Sequence, residues 1–241
     1  MSQPLDILYR GQQLVAINKP AGLLVHRTQL DRRETRFAVQ LLRDQLGQQV
    51  YPLHRLDKPT SGLLLFALDK ESASLLGREF ATHQVRKSYL AVLRGWPEAE
   101  GLIDYPLVDG PEWGSKTVQN DSALARPART GYRVLARTEL PFAVGRYPRS
   151  RYTLVEAWPE TGRRHQLRRH FKHIFHPLIG DTRYGEGRHN RLFREQFACQ
   201  RLLLHAHRLQ IRHPETDHLL QMEAPLPEEF QRVLQQTGLQ R

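Results

Sequence analysis

The chain has 241 residues, of which 39% are hydrophobic and 25% charged, an ordinary balance for a soluble globular protein long enough to pack a core. Lys and Arg number 36 against 25 Asp and Glu, a formal charge of +11, so a polyanionic partner is expected. Cys199 is the single cysteine, which excludes an intrachain disulfide and a Cys-rich zinc site, and no apolar run approaches the ~20 residues that span a bilayer. A cytoplasmic protein with no membrane association is expected.

Leu14 to Asn18 reads as a short strand ending at the turn Lys19-Pro20-Ala21-Gly22, with the extended run Leu23 to His26 as its hairpin partner. Phe37, Ala38, Leu41, Leu42 and Leu46 follow helical spacing, which predicts a helix from Thr35, as N-cap, to Leu46, with Gly47 as its stop. Leu63 to Leu68 is a buried strand, and Asp69 opens a helix through Glu71, Leu75, Leu76, Phe80 and His83. Lys87 to Leu93 is a further strand closed by Gly95-Trp96-Pro97, and the Gly-, Pro- and Arg-rich stretch from Glu98 to Thr130 reads as surface loops.

Arg151 to Trp158 is read as a strand, Thr161-Gly162 as a turn, and Arg164 to Phe175 as a helix ended by His176-Pro177. Arg201 to Arg212 and His218 to Glu223 form two strands around Pro214, and Pro227 stands at the first position of a C-terminal helix. No repeat, low-complexity tract or linker interrupts the chain, so one mixed α/β domain over residues 1–241 is expected.

One segment carries chemistry. His54-Arg55-Leu56-Asp57-Lys58-Pro59-Thr60-Ser61-Gly62 sets a carboxylate among His54, Arg55 and Lys58, in a turn just before a buried strand. Positive charge and turn N–H groups favour its ionised form, which a nucleophile or base must present. On local chemistry alone, a loop aspartate is more often a turn cap or an ion-pair partner, here of Arg55.

The segment resembles the signature of the RluA-type pseudouridine synthases. Further blocks similar to that family follow in order: Asn18 to Gly22 with Val25-His26, Lys87-Ser88-Tyr89, Thr161 to His170, His176 to Asp181, and Arg201 to Ala206. The resemblance covers residues 18 to 206. It implies an α+β pseudouridine synthase fold, with a mainly antiparallel mixed central sheet, flanking helices and a basic RNA-binding cleft, working without metal or organic cofactor.

By the same resemblance Asp57 is the catalytic carboxylate, which promotes cleavage of the uridine C1′–N1 bond before the base turns and rejoins through C5. Tyr89 is the aromatic that stacks on the target base, Arg168 the cation paired with Asp57, and Leu204 the leucine packed beneath the site. Arg55 enters the RNA stack where the target nucleotide is extruded, and His54 and Arg169 complete the expected RNA-contacting set.

Helical projection supports the choice of Arg168. At about 100° per residue, Leu167, Phe171, Ile174 and Phe175 form an apolar arc with Arg168 at its edge, about 20° from Phe175, while Arg169 projects to solvent or RNA. An arginine there holds a carboxylate through charge-assisted hydrogen bonds.

Other readings fit less well. His170, His173 and His176 recur at intervals of three, but no His-Glu-x-x-His pattern or Cys cluster makes them a zinc site. Neither a dinucleotide loop nor a Walker-type loop is present. A hydrolase using Asp57 lacks a paired acid or base, and a non-catalytic RNA-binding module does not need Asp57, Tyr89 and Arg168 together.

Arg146-Tyr147-Pro148 with Arg151-Tyr152, together with Arg168 to His170 and Gly185 to Asn190, most resemble the bacterial members that modify a T-stem uridine of tRNA. Structured RNA is therefore the expected partner, with ribosomal RNA as the alternative and no protein partner indicated. The stretch 98–130 is the candidate RNA-recognition surface.

Overall fold

The computed structural model describes residues 4–27, 34–108 and 125–240. It divides into two compact units, residues 1–90 with 201–232 and residues 91–200 with 233–241. The chain crosses between them inside a strand, Arg86–Arg94, and a helix, Glu228–Thr237. The class is α+β, with antiparallel strand pairs predominating.

The first unit is built around β4 (Ser61–Ala67), whose seven residues are all buried. It lies antiparallel to β2 (Leu14–Lys19) with Lys19 opposite Gly62, and parallel to β11 (Leu204–Arg212) with Ala206 opposite Gly62. β1 (Asp6–Arg10) covers β2, β3 (Tyr51–Pro52) pairs with β4, and β12 (Leu219–Glu223) pairs with β11. Because β4 is flanked on both sides, alternate residues feed two cores. Leu64 and Phe66 pack with Val15, Ile17, Leu42 and Leu56, whereas Leu63 and Leu65 pack with Leu14, Leu76 and Met222. A continuous apolar run is what a strand buried on both faces requires.

Two local expectations change here. The partner of β2 is β1, not the run after Gly22, because that run turns away to make a single parallel bridge, Leu24 to Phe37. The bridge also moves the helix start. Phe37 is extended and buried, the N–H groups of Ala38 and Val39 donate to the carbonyls of Leu24 and Val25, and α1 runs Ala38–Leu46 without a Thr35 cap. Its end is as expected, since Gly47 takes the left-handed conformation at φ 69° and donates to Arg43 O. α2 (Lys70–Ala81) starts as read, with Asp69 accepting from the Ser72 N–H at 2.7 Å, and stops before His83.

In the second unit β10 (Ser150–Pro159) lies along β9 (Arg129–Leu140), and β6 (Glu100–Asp104) lies on the other side of β9. α3 (Gln166–His173) and α4 (Gly187–Phe197) complete it. The loop reading of 98–130 is thus corrected in the described part: β6, β7 (Leu107–Val108), β8 (Ala125–Arg126) and the start of β9 fall within it, and residues 109–124 lie outside the described set. Strand pairing overrides a composition poor in apolar alternation, for β6 buries only Ile103. In the remaining elements β5 (Arg86–Arg94) and α5 (Glu228–Thr237), the boundaries match the expected strand and the Pro227 start.

Gly62 has φ +110°, and a Cβ there would run into the backbone of Ala206. Gly77 in α2 has open space around it. Gly62→Ala is therefore expected to destabilise the protein by about 2–4 kcal/mol, and Gly77→Ala to stabilise it by about 1 kcal/mol, both read by urea unfolding; equal effects would contradict this packing.

Candidate active site

The expected catalytic turn leaves β3 and enters β4. Thr60 N–H donates to Asp57 O at 3.0 Å, closing a turn over Lys58 and Pro59. Leu56 is buried in the core that holds Val15, Ile17 and Phe66, which anchors the residue before Asp57. The carboxylate is half-buried, so it is neither lost in the core nor fully in water.

Behind the turn lies Lys19, fully buried at the end of β2. Its Nζ donates to three backbone carbonyls, Leu23 O at 2.8 Å, Pro20 O at 2.9 Å and Lys58 O at 3.3 Å, and Gly22 N–H donates to the same Lys58 carbonyl at 2.8 Å. One ammonium thus ties the Pro20–Leu23 turn to the residue after Asp57. Burial lowers the Lys19 pKa to about 7; the Asp57 charge opposes that, and Arg201 adds to it. The Lys19 and Asp57 charges are therefore close enough to sense each other.

Tyr89 on β5 packs half-buried against the core that includes Leu56, Val25 and Ala206. Burial and the neighbouring Asp57 carboxylate both push its phenol pKa up, so the ring stays neutral. The structure thereby brings Asp57, Tyr89 and Lys19 into one electrostatic neighbourhood. Leu204, buried, is the first residue of β11.

His54 and Arg55 are oriented differently. The His54 ring accepts from Leu65 N–H at 3.1 Å through Nε2 and stacks on Phe80 at 5.0 Å, and burial lowers its pKa to about 3, with Lys87 adding to the effect. It is a neutral bracket between the turn and β4. Arg55 is exposed, and its charge adds to burial in lowering the His26 pKa.

A hydrogen-bond chain fixes the other end of the turn. Arg201 donates to Ser61 Oγ, Ser61 Oγ–H meets His205 Nδ1 at 2.8 Å, and His205 Nε2 meets Ala224 O at 3.2 Å. A carbonyl only accepts, so Nε2 carries the proton and Nδ1 accepts from Ser61. Burial lowers the His205 pKa to about 4, against the favourable Ala224 carbonyl.

Arg168, Arg169 and the rest of the Thr161–His170 block belong to the second unit. Arg168 is buried and makes a two-pronged pair with Asp181, Nε to Oδ2 at 2.7 Å and Nη2 to Oδ1 at 2.9 Å, over the Tyr184 ring. Burial raises the Asp181 pKa, but Arg168 and the N–H groups of Tyr184 and Arg183 outweigh it, so the carboxyl lies below its usual range. Arg169, expected to face solvent or RNA, is buried instead and donates to Val108 O at 3.1 Å. The amphipathic projection fails because α3 buries Gln166 to Phe171 without interruption.

The polar groups of that block are satisfied locally. Gln166 accepts from Arg163 N–H and donates to Arg129 O and Thr130 Oγ1. His170 is held between Thr130 Oγ1 and Tyr105 O, both at 3.0 Å, and burial lowers its pKa to about 4. His173 stacks on Tyr105 and His176 meets Arg94 O, so the three histidines serve separate contacts. Among the described residues, no group of three His, Cys, Asp or Glu is arranged to hold a metal.

Sequence reasoning missed the linking roles of Lys19, Ser61, Arg201, His205 and Asp181, although all of them stand in the quoted segments. A buried lysine or histidine leaves no periodic signal, and its partners here are carbonyls and one hydroxyl.

Comparison with known proteins points the same way. The family pattern described as RNA pseudouridylate synthase matches residues 13–173. The chain is 50% identical over 236 residues to tRNA pseudouridine synthase C of Vibrio cholerae, covering 98% of this chain and 97% of that protein. With the protein of the same name from Pasteurella multocida the identity is 52% over 227 residues, 94% of this chain and 93% of the other. Among solved structures, Human RNA Pseudouridylate Synthase Domain Containing 4 superposes with TM-score 0.74 at 29% identity, covering 98% of this chain and 94% of that one.

Two outcomes follow from the buried lysine and histidine. Lys19→Met removes the Nζ donor shared by three carbonyls, of which only that of Lys58 keeps the Gly22 N–H, and is expected to cost about 2–4 kcal/mol in urea unfolding; unchanged stability would contradict the clamp. The unfolded His205 titrates near 6.5 and the folded one near 4, so below about pH 6.5 the unfolded chain takes up a proton that the folded chain refuses. Stability is then lost as pH falls through that window, by about 1.4 kcal/mol per unit. His205→Gln should lose about 2 kcal/mol less than wild type between about pH 6.5 and 5.

Proposed function

The chain belongs to the RNA pseudouridylate synthase family, and from that premise we propose that it isomerises a uridine of tRNA to pseudouridine, with T-stem position U65 as its target. The observation that carries the tRNA reading is 50% identity along almost the whole of a tRNA pseudouridine synthase C. Ribosomal RNA is the second reading, since the quoted catalytic blocks are shared with family members of that kind. Residues 1–241 act as one catalytic domain in the cytoplasm, without metal or organic cofactor.

Asp57 is proposed as the carboxylate that works on the ribose. The C1′–N1 bond breaks, the base turns, C1′ bonds to C5, the C5 hydrogen leaves to solvent as a proton, and N1 takes up a proton from solvent. Atoms balance without an oxidant, reductant or co-substrate. Lys19 lies in the same electrostatic neighbourhood as Asp57, and Arg168, which in the second unit pairs with Asp181, is the cation that the family resemblance assigns to the carboxylate. Tyr89 is proposed to stack on the target base; a neutral phenol suits this because every base presents a π face. Leu204 is proposed to pack beneath, and Arg55, which is exposed, to contact the RNA.

Transcripts of tRNA and rRNA carrying C5-tritiated uridine separate the readings. Tritium release from tRNA, with pseudouridine mapped to the T stem, is expected; release from rRNA alone selects the second reading, and release from neither removes the enzymatic one. Tyr89→Ala should lower kcat/KM by about 10–100-fold, the worth of one stacked base, with Tyr89→Phe recovering most of it.

A further inference from the structure

The second unit carries a row of arginines that the proposed chemistry does not use. Arg188, Arg191 and Arg194 recur every third residue along α4, and all three are exposed. Residues at this spacing are neighbours on a helix, with Cβ atoms about 5–6 Å apart. Successive members turn by about 60°, so the row occupies one side of the helix while Phe193 and Phe197 on the other are buried. Among the described residues none of the three is in an ion pair. Their one acidic neighbour on that side, Glu195, is exposed.

A second element joins the row. Residues 144–147 form a tight turn in which Val144 N–H donates to Tyr147 O at 3.2 Å and Gly145 adopts φ +68°. A Cβ on Gly145 would stand 3.3 Å from Arg188 Nη1, so that guanidinium lies against the turn. The turn presents Arg146 and Tyr147, the latter 59% exposed, with the Arg146 guanidinium 5.0 Å from the Tyr147 ring centroid and Nη2 donating to its hydroxyl at 2.8 Å. The other exposed arginines of this unit's sheet are already engaged, Arg149 and Arg151 with Glu139, Arg133 with Glu156, Arg129 with Asp104 and Glu160, and Arg137 with the Pro97 carbonyl. The four cations Arg146, Arg188, Arg191 and Arg194 thus stand together with one carboxylate among them.

We propose that Arg188, Arg191 and Arg194, with the Arg146–Tyr147 turn, form a binding surface for the phosphate backbone of the RNA substrate, separate from the contacts made to the target nucleotide. It rests on the reading of the protein as an RNA-modifying enzyme and adds where a helical segment of that RNA is gripped. Guanidinium groups suit phosphate through paired N–H donors. Contacts of this kind position the RNA without reading its bases.

The test is binding of an unmodified tRNA transcript by fluorescence anisotropy across a salt series. Each lost phosphate contact lowers the slope of log K against log salt by about 0.9 on a duplex. Arg188, Arg191 and Arg194→Gln together should therefore reduce that slope by about 2–3, and their affinity deficit against wild type should shrink by about 15–60-fold between 50 and 200 mM salt. A control removing the same charge from the first unit, Arg78, Arg208 and Arg212→Gln, should change the slope little. An unchanged slope in the α4 variant, or an equal change in the control, overturns the proposal, the latter by reducing it to net charge. Tritium release by wild type reports separately on the enzymatic reading, so the two fail independently.

Discussion

A single buried ammonium organises the turn that holds Asp57, the proposed catalytic carboxylate. Lys19 sits at the end of β2 opposite Gly62 of β4, and its three carbonyl contacts tie the Pro20–Leu23 turn to Lys58, next to Asp57. Three donors meet three acceptors, which a neutral or shorter side chain cannot reproduce. Gly62 then lets β4 pass within backbone distance of Ala206, and the Arg201–Ser61–His205–Ala224 chain fastens the strand just after the turn. Asp57 is thereby presented by a loop fixed at both ends, which keeps the entropy of positioning it out of the reaction step.

Three histidines behave as fixed hydrogen-bonding units. His54, His170 and His205 all have pKa values lowered by burial to between about 3 and 4, and each ring is engaged by a backbone or hydroxyl partner. None is tuned near neutrality as an acid or base would be. The burden of the proposed reaction falls on a carboxylate whose surroundings are a buried cation and a neutral aromatic ring.

Most elements were legible where one physical signal dominated. The all-apolar run of β4, the Asp69 cap of α2 and the Gly47 stop of α1 each rest on local chemistry that packing does not override. β9 escaped because its twelve residues mix Arg, Thr, Glu and apolar types, and its pairing with both β6 and β10 supplies what its composition lacks. Arg169 escaped because helical projection assumes one solvent face, whereas α3 is buried on all sides over six residues. The signature segment singled out Asp57 and the Lys87-Ser88-Tyr89 block Tyr89, and the two share an electrostatic neighbourhood; Lys19 and His205 gave no comparable sign, since their roles consist of carbonyl and hydroxyl contacts from distant strands.

The most direct measurement is single-turnover tritium release from C5-labelled tRNA by Asp57→Asn, alongside its affinity for the same RNA. Asparagine keeps the size of the side chain and the turn while removing its charge. The expected result is retained binding with release slowed by more than about 10³-fold. Release at the wild-type rate by a variant that still binds RNA would contradict the account, because the chemistry would then reside in some other group.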